Sequence, residues 1–326
     1  MEDGQERADL CGQTLDERYR VLRRIGWGGT GVVFDALHLR DHTHVAIKTL
    51  RPCFLKHPDL PNRLRREREV SRRVLHPGVV KFFDEGTLLD GSPYLVMPLL
   101  IGESLGQLLM RLGQLPGIEV VAVAARVASI LHSAHIAGYV HRDVKPEHIF
   151  LGRTPRGELR LHLLDFGVCS SAQAPADEKK REAGRVFGTP SYVSPEQASG
   201  EVDIDGRADM FGLGIVMFEA LSGRLPFAAS HVSKLLLRII RDDAPRLSAI
   251  DSGIDPGLEH IVGKLLARDP EQRMPSARAL SRALLPLSRD RLAAERRLAA
   301  RLTPRALPEI GTPSMHDSAH ETARVA

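Results

Sequence analysis

The feature that most limits how this chain can fold is one change of periodicity, near Gly102. Before it the pattern is strand-like. "RYRVLRRIG", "GVVFDALHL" and "HVAIKTL" are rich in β-branched and apolar residues, broken by glycines and an "RDHTH" turn. "VVKFFDEGTL" and "PYLVMPLL" add two strands around "LDGS". One charged helix interrupts, "LPNRLRREREVSRRVL", with Leu64, Val70 and Val74/Leu75 as its sparse apolar positions, stopped by "HPG". After Gly102 helices dominate. "IEVVAVAARVASILHSAHIAG" is long, apolar and alanine-rich, which suits a buried helix. Short strand-like pieces follow at "HIFLG" and "LRLHLLDFG", then helices at 207–222, 230–241, 257–267 and 276–285. The expected class is α+β: a small strand-rich lobe with one main helix, over about 19–100, and a larger, mostly helical lobe over about 101–285.

The ends read differently. Residues 1–18 are polar and expected to be loose, and 303–326 lack periodicity and are expected to be disordered. Residues 170–187 read as a mobile, turn-rich loop. "SRDRLAAERRLAARL", 288–302, is a basic helix with a thin stripe of Leu292, Leu298 and Leu302. It either packs on the large lobe or a partner, or touches nucleic acid or an acidic membrane; packing is favoured. The net charge is only +4, from 45 basic and 41 acidic residues, a weak argument for nucleic acid as main partner. Cys11, Cys53 and Cys169 are scattered without CxxC spacing, which suggests reduced thiols. The N-terminus lacks the apolar core of a signal peptide, and no apolar run reads as long as the roughly 18–20 residues that span a bilayer. The expectation is a soluble, cytoplasmic protein.

Several short stretches carry chemistry. In "GWGGTGVV", Gly26, Gly28 and Gly31 have G-x-G-x-x-G spacing. A dinucleotide fingerprint would open a helix; here a strand follows, so the glycines lie at a hairpin tip where backbone N–H groups can approach phosphate. Lys48 ends the strand "VAIK", and either Glu67 or Glu69 on the next helix can reach back to pair with it. In "VHRDVKPEHIF", Asp143 can accept a proton from an attacking hydroxyl or orient it, and Lys145 can neutralise a transferring phosphoryl group. In "LLDFG", Asp165 is placed to present a carboxylate to a divalent cation.

"GTPSYVSPEQ", "GRADMFGLG" and "ARDPEQRMPSA" follow in order. With GWGGTGVV, VAIK, HRDVKPEH, DFG and SPE arranged along residues 19–285, the chain resembles a protein kinase domain. Its wording is similar to bacterial members of the eukaryotic-like (Hanks-type) Ser/Thr kinase group. The resemblance implies the bilobal kinase fold, ATP with Mg²⁺ or Mn²⁺, protein substrates, and transfer to Ser/Thr hydroxyls. It implies that Gly26, Gly28 and Gly31 cover the phosphates, that Val33 and Ala46 line the adenine pocket, and that Trp27 and Phe150 also belong to the nucleotide site. Met97 resembles the gatekeeper and Pro98–Leu100 the hinge, where Leu100 supplies the N–H that Pro98 lacks. Lys48 would pair with Glu67 and hold the α/β-phosphates. Asp143 and Lys145 would serve catalysis and Asp165 the metal. Thr189 would brace the catalytic loop, Glu196 pair with Arg273, and Asp209 anchor the catalytic loop.

Two departures bear on function. The loop between Gly167 and Gly188 holds no threonine, so Ser170, Ser171 or the following Thr189 is modified, or Asp177, Glu178 or Glu182 substitutes for a phosphate. Regulation without a loop phosphate is slightly favoured. In addition, His148 stands where the family carries a metal-binding Asn. Imidazole suits Mn²⁺ and other transition metals better than Mg²⁺; His148 either ligates metal or only tolerates the loop geometry. The alternative to an active enzyme is an ATP-binding pseudokinase acting as scaffold or allosteric regulator. Some bacterial relatives carry a membrane helix and external sensor after the kinase domain. Neither is read here, so signals would arrive through cytosolic partners, the tail or modification.

Overall fold

A computed structural model describes residues 10–27, 31–50, 60–171 and 188–303. The strand-rich part runs β1 (Thr14–Leu15), β2 (Tyr19–Trp27), β3 (Gly31–His38), β4 (His44–Leu50), α1 (Leu60–Arg73), β5 (Asp84–Thr87) and β6 (Pro93–Pro98). Its sheet has the order β1-β2-β3-β4-β6-β5, with every neighbouring pair antiparallel. Val21, Val32, Phe34, Val45, Ile47, Tyr94 and Val96 form one apolar core there. The register sets Val33 opposite Lys48 and Ala46 opposite Met97, so three strands deliver residues to one region.

Residues before 19 are not all loose. Leu10 and Leu15 are buried, Gly12 N–H donates to Val21 carbonyl at 2.9 Å, and Tyr94 hydroxyl donates to Asp16. The two-residue strand β1 pairs with the start of β2, at Tyr19 and Arg20, and covers that part of its outer edge. The expected strand over 79–88 shrinks to Asp84–Thr87. Val79 instead bridges Leu163 and joins the core of the helical part, so its apolar character answers to another lobe.

The helical part begins with β7 (Gly102–Ser104), α2 (Leu105–Leu112), α3 (Gly117–Ile136), β8 (Tyr139–Val140), β9 (Ile149–Arg153), β10 (Leu159–Leu163) and β11 (Ser170–Ser171). It continues with α4 (Pro195–Ala198), α5 (Arg207–Ser222), α6 (Val232–Arg241), α7 (Pro256–Leu265), α8 (Ala277–Leu284) and α9 (Arg291–Arg301). Gly102, where the periodicity changes, has φ 152°, and a Cβ there would collide with the Leu151 carbonyl of β9. Only glycine lets β7 lie that close to β9.

α3 corrects the expectation about apolar runs: its 20 residues reach the length and hydropathy of a membrane span. Yet Ala122, Val127, Ala128, Leu131 and Ala134 are wholly buried inside the lobe. α5 is apolar nearly all round and buried on all sides, as a helix at the centre of a lobe must be. α9 packs on α3 with Ala294, Leu298 and Ala299 fully buried. Of its expected stripe, Leu298 and Leu302 face inward, whereas Leu292 is 68% exposed; Leu75 of the expected α1 stripe is likewise exposed. Of the tail expected to be disordered over 303–326, Thr303 is described and its N–H donates to Glu103, and 304–326 lie outside the described residues.

Candidate active site

The first half of the site belongs to the sheet and α1. Lys48 Nζ on β4 donates to both carboxylate oxygens of Glu67 on α1, each at 2.7 Å. Glu69, two residues further along the helix, takes Arg73 and the Tyr139 hydroxyl instead, both at 3.1 Å. The structure thus selects Glu67. Lys48 also reaches Asp165 Oδ1 at 3.3 Å. Burial alone would discharge this lysine, but Asp165 and Glu67 outweigh it and raise its pKa. Burial likewise opposes the Asp165 charge, and Lys48 followed by His148 overcomes it, holding the carboxyl well below its ordinary value.

Asp165 follows β10 in the left-handed region, φ 62°, and its Oδ1 accepts the Gly167 N–H at 3.4 Å. For a non-glycine residue that conformation is strained and aims the side chain away from the strand. The next residue, Phe166, is buried and meets the His141 ring edge-on at 4.5 Å.

The second half is the loop between β8 and β9. Asp209 of α5 accepts the His141 N–H at 2.8 Å and the Arg142 N–H at 2.7 Å, and bonds His135 Nε2 at 2.7 Å. These bonds hold the loop while Arg142 takes φ 64°. Asp143 Oδ1 accepts the Thr189 N–H at 2.8 Å, and Lys145 Nζ lies 3.0 Å from Oδ2. Lys145 also donates to the Thr189 hydroxyl. Burial pushes the Asp143 carboxyl up, but His148 and Lys145 prevail and lower it. His148 Nδ1 donates to the Asp143 carbonyl at 2.9 Å; its Nε2 lies 3.6 Å from Asp165 Oδ2. Burial holds this imidazole below its ordinary pKa, against the opposing pull of Asp165 and Asp143.

The remaining expected residues fall as follows. Val33, Met97, Leu100 and Phe150 are half-buried, Ala46 is buried and Pro98 is exposed, on β3, β4, β6, β9 and the segment after β6. Gly26 and Gly31 end β2 and open β3; a Cβ at Gly31 would lie 2.9 Å from the Thr49 carbonyl. Trp27 is 43% exposed, with the Arg24 guanidinium 4.9 Å over its ring. Gly28 lies outside the described residues, as do Asp177, Glu178 and Glu182. Ser170 and Ser171 pair as β11 with Val140 and Tyr139, so their backbone belongs to a strand where a mobile loop was expected. Glu196 and Arg273 form a buried two-pronged pair at 2.7 and 2.8 Å.

Two contributors escape the motif reading. Gln197 Nε2 donates to the Arg142 carbonyl at 2.8 Å, tying α4 to the loop between β8 and β9. The Ser-x-x-Gln capping box of α4, Ser194 to Gln197, is its sequence signal. His135, the Asp209 partner, has no local signal, because its role depends on α3 crossing α5.

Known proteins match this arrangement. The protein kinase domain family matches residues 19–285. The serine/threonine-protein kinase Pkn3 of Myxococcus xanthus is 32% identical over 286 residues, covering 87% of this chain and 52% of that protein. PknH of Mycobacterium tuberculosis, also a serine/threonine-protein kinase, is 35% identical over 79% of this chain and 40% of its own length. PknL from the same organism is 32% identical over 99% of this chain and 75% of its own length. The chain thus spans about half or less of the first two. With the fold, the site geometry and these matches in agreement, the chain belongs to the protein kinase domain family, within its bacterial Hanks-type Ser/Thr group.

Proposed function

We propose that this chain transfers the γ-phosphate of ATP to serine or threonine hydroxyls of proteins. The observation that carries the reading is the closed set of contacts joining Lys48, Glu67, Asp165, His148, Asp143 and Lys145. Lys48, held by Glu67, offers a fixed positive charge to the α- and β-phosphates. Lys145 offers a second one to the phosphoryl group in flight. Asp143 is pinned by Thr189 and Lys145, so one oxygen can meet a substrate hydroxyl without searching. The hydroxyl oxygen bonds to the γ-phosphorus while the bond to the β,γ-bridging oxygen breaks and ADP leaves. The hydroxyl proton passes to the Asp143 carboxylate. Because the Asp143 pKa is low, the residue orients the hydroxyl and takes the proton late.

Asp165 Oδ2 and His148 Nε2 are chemically suited to a divalent cation, with nucleotide oxygens and water supplying the other ligands. Such a cation, when bound, neutralises charge on the β- and γ-phosphates.

The test is transfer of labelled γ-phosphate to the chain itself or to a generic basic protein, with Mg²⁺ and with Mn²⁺. Label should appear on serine or threonine and fall by about 10²–10⁴-fold in Asp143→Asn. Nucleotide-induced thermal stabilisation with no transfer under either metal would overturn the reading in favour of a scaffold.

A further inference from the structure

The four polar atoms of His148 and Asp165 are divided in a specific way. Asp165 Oδ1 is occupied by Lys48 Nζ at 3.3 Å and the Gly167 N–H at 3.4 Å. His148 Nδ1 faces the Asp143 carbonyl at 2.9 Å. A carbonyl only accepts, so Nδ1 must carry the hydrogen. In the neutral ring Nε2 is then a bare lone pair. That lone pair faces the remaining carboxylate oxygen, Asp165 Oδ2, across 3.6 Å, too far for a good hydrogen bond. Two electron-rich atoms oriented at each other call for a cation between or beside them. The hydrogen bond at Nδ1 also fixes the ring plane, as the outer bond of a metal-bound histidine does. No group of three protein ligands converges among the described residues, so the protein offers a two-donor face that phosphate and water must complete.

We propose that His148 Nε2 ligates a cation shared with Asp165 and the nucleotide, and that this nitrogen makes the chain select Mn²⁺ over Mg²⁺. Mg²⁺ demands oxygen ligands in a nearly ideal octahedron. First-row transition dications accept an imidazole nitrogen beside oxygens. The inference rests on the nucleotide-binding reading above.

The experiment uses the full chain with ¹⁵N-labelled histidine, Mn²⁺ and the β,γ-methylene analogue of ATP. Pulsed electron paramagnetic resonance should show a directly coordinated ¹⁵N, absent in His148→Asn. Competition between Mn²⁺ and Mg²⁺ on the analogue complex should show the Mn²⁺ preference falling about tenfold in His148→Asn. Mn²⁺ bound with the analogue but without a histidine nitrogen, or an unchanged preference, overturns the metal inference and leaves the kinase reading standing. Absence of any metal-dependent analogue binding by the native chain overturns both. The coupling is read on the native chain, so it does not depend on how the variant folds.

Discussion

His162 of β10 shows what a single residue can conceal. It is 5% exposed and its Nδ1 has no hydrogen-bond partner. Burial, assisted by the nearby Arg160 charge, pushes its pKa down to about 4. In the unfolded chain it titrates near its ordinary value of about 6.5. Between those values the unfolded chain binds a proton that the folded chain refuses. Its contribution to stability is therefore complete above about pH 6.5, and falls as pH drops towards 4, by up to about 3 kcal/mol. Urea unfolding at pH 7, 5.5 and 4.5 should show this decline in the native chain and a shallower one in His162→Leu. Equal slopes would mean that the folded ring protonates freely. In sequence this histidine sits inside the strand-like "LRLHLL" and carries no motif. Its burial follows from β10 lying within the helical lobe. Lys48, Asp143 and Asp165 were legible for the opposite reason: their neighbours are short, local patterns whose order along the chain is itself informative.

At the scale of elements, α1 matters because it carries Glu67. Its last turn is closed from outside: Lys81 Nζ donates to the Ser71 carbonyl and, at 2.8 Å, to the Val74 carbonyl. The Phe82 N–H donates to Ser71 Oγ at 3.1 Å. A cation on terminal carbonyls satisfies acceptors that the helix cannot and suits the negative end of its dipole. Lys81→Met should cost about 1 kcal/mol and speed amide exchange in 67–74. Phosphoryl transfer should fall with it, because Glu67 would hold Lys48 less steadily. Unchanged exchange with lost activity would show that Lys81 acts elsewhere. The helix could be read from its charged pattern; its anchor could not, since "VVKFF" reads as a strand. α2, by contrast, is too short to show a clear period, and only its Ser104–Gln107 capping box and terminal Gly113 mark its ends in the sequence.

For the whole molecule, α9 extends past the residues that carry the kinase resemblance yet packs on the kinase fold. Arg126 of α3 forms a two-pronged pair with Glu295, at 2.9 and 2.7 Å. Arg301 reaches Glu119 at 3.0 Å. Thr303 N–H and Arg111 both donate to Glu103 of β7, at 2.9 and 2.6 Å, just after the proposed hinge. The basic helix thus packs on the large lobe. The composition of 288–302 revealed a helix and a basic one; which acids would receive its arginines depends on contacts across nearly two hundred residues. Glu119 makes those contacts testable. It is fully buried, one of its oxygens has no hydrogen-bond partner, and burial raises its pKa against the pull of Arg301. Arg301→Met would leave that carboxylate with the Arg297 charge but without its ion-pair partner, at a cost of about 2 kcal/mol once the partial exposure of Arg301 is discounted. Glu119→Met combined with Arg301→Met removes the charge that needs compensation, so stability should recover to near the native value. Chemical denaturation of the native chain, both single variants and the double variant would measure the coupling. Additive losses would show that the two residues act separately and that α9 is held by its apolar face alone.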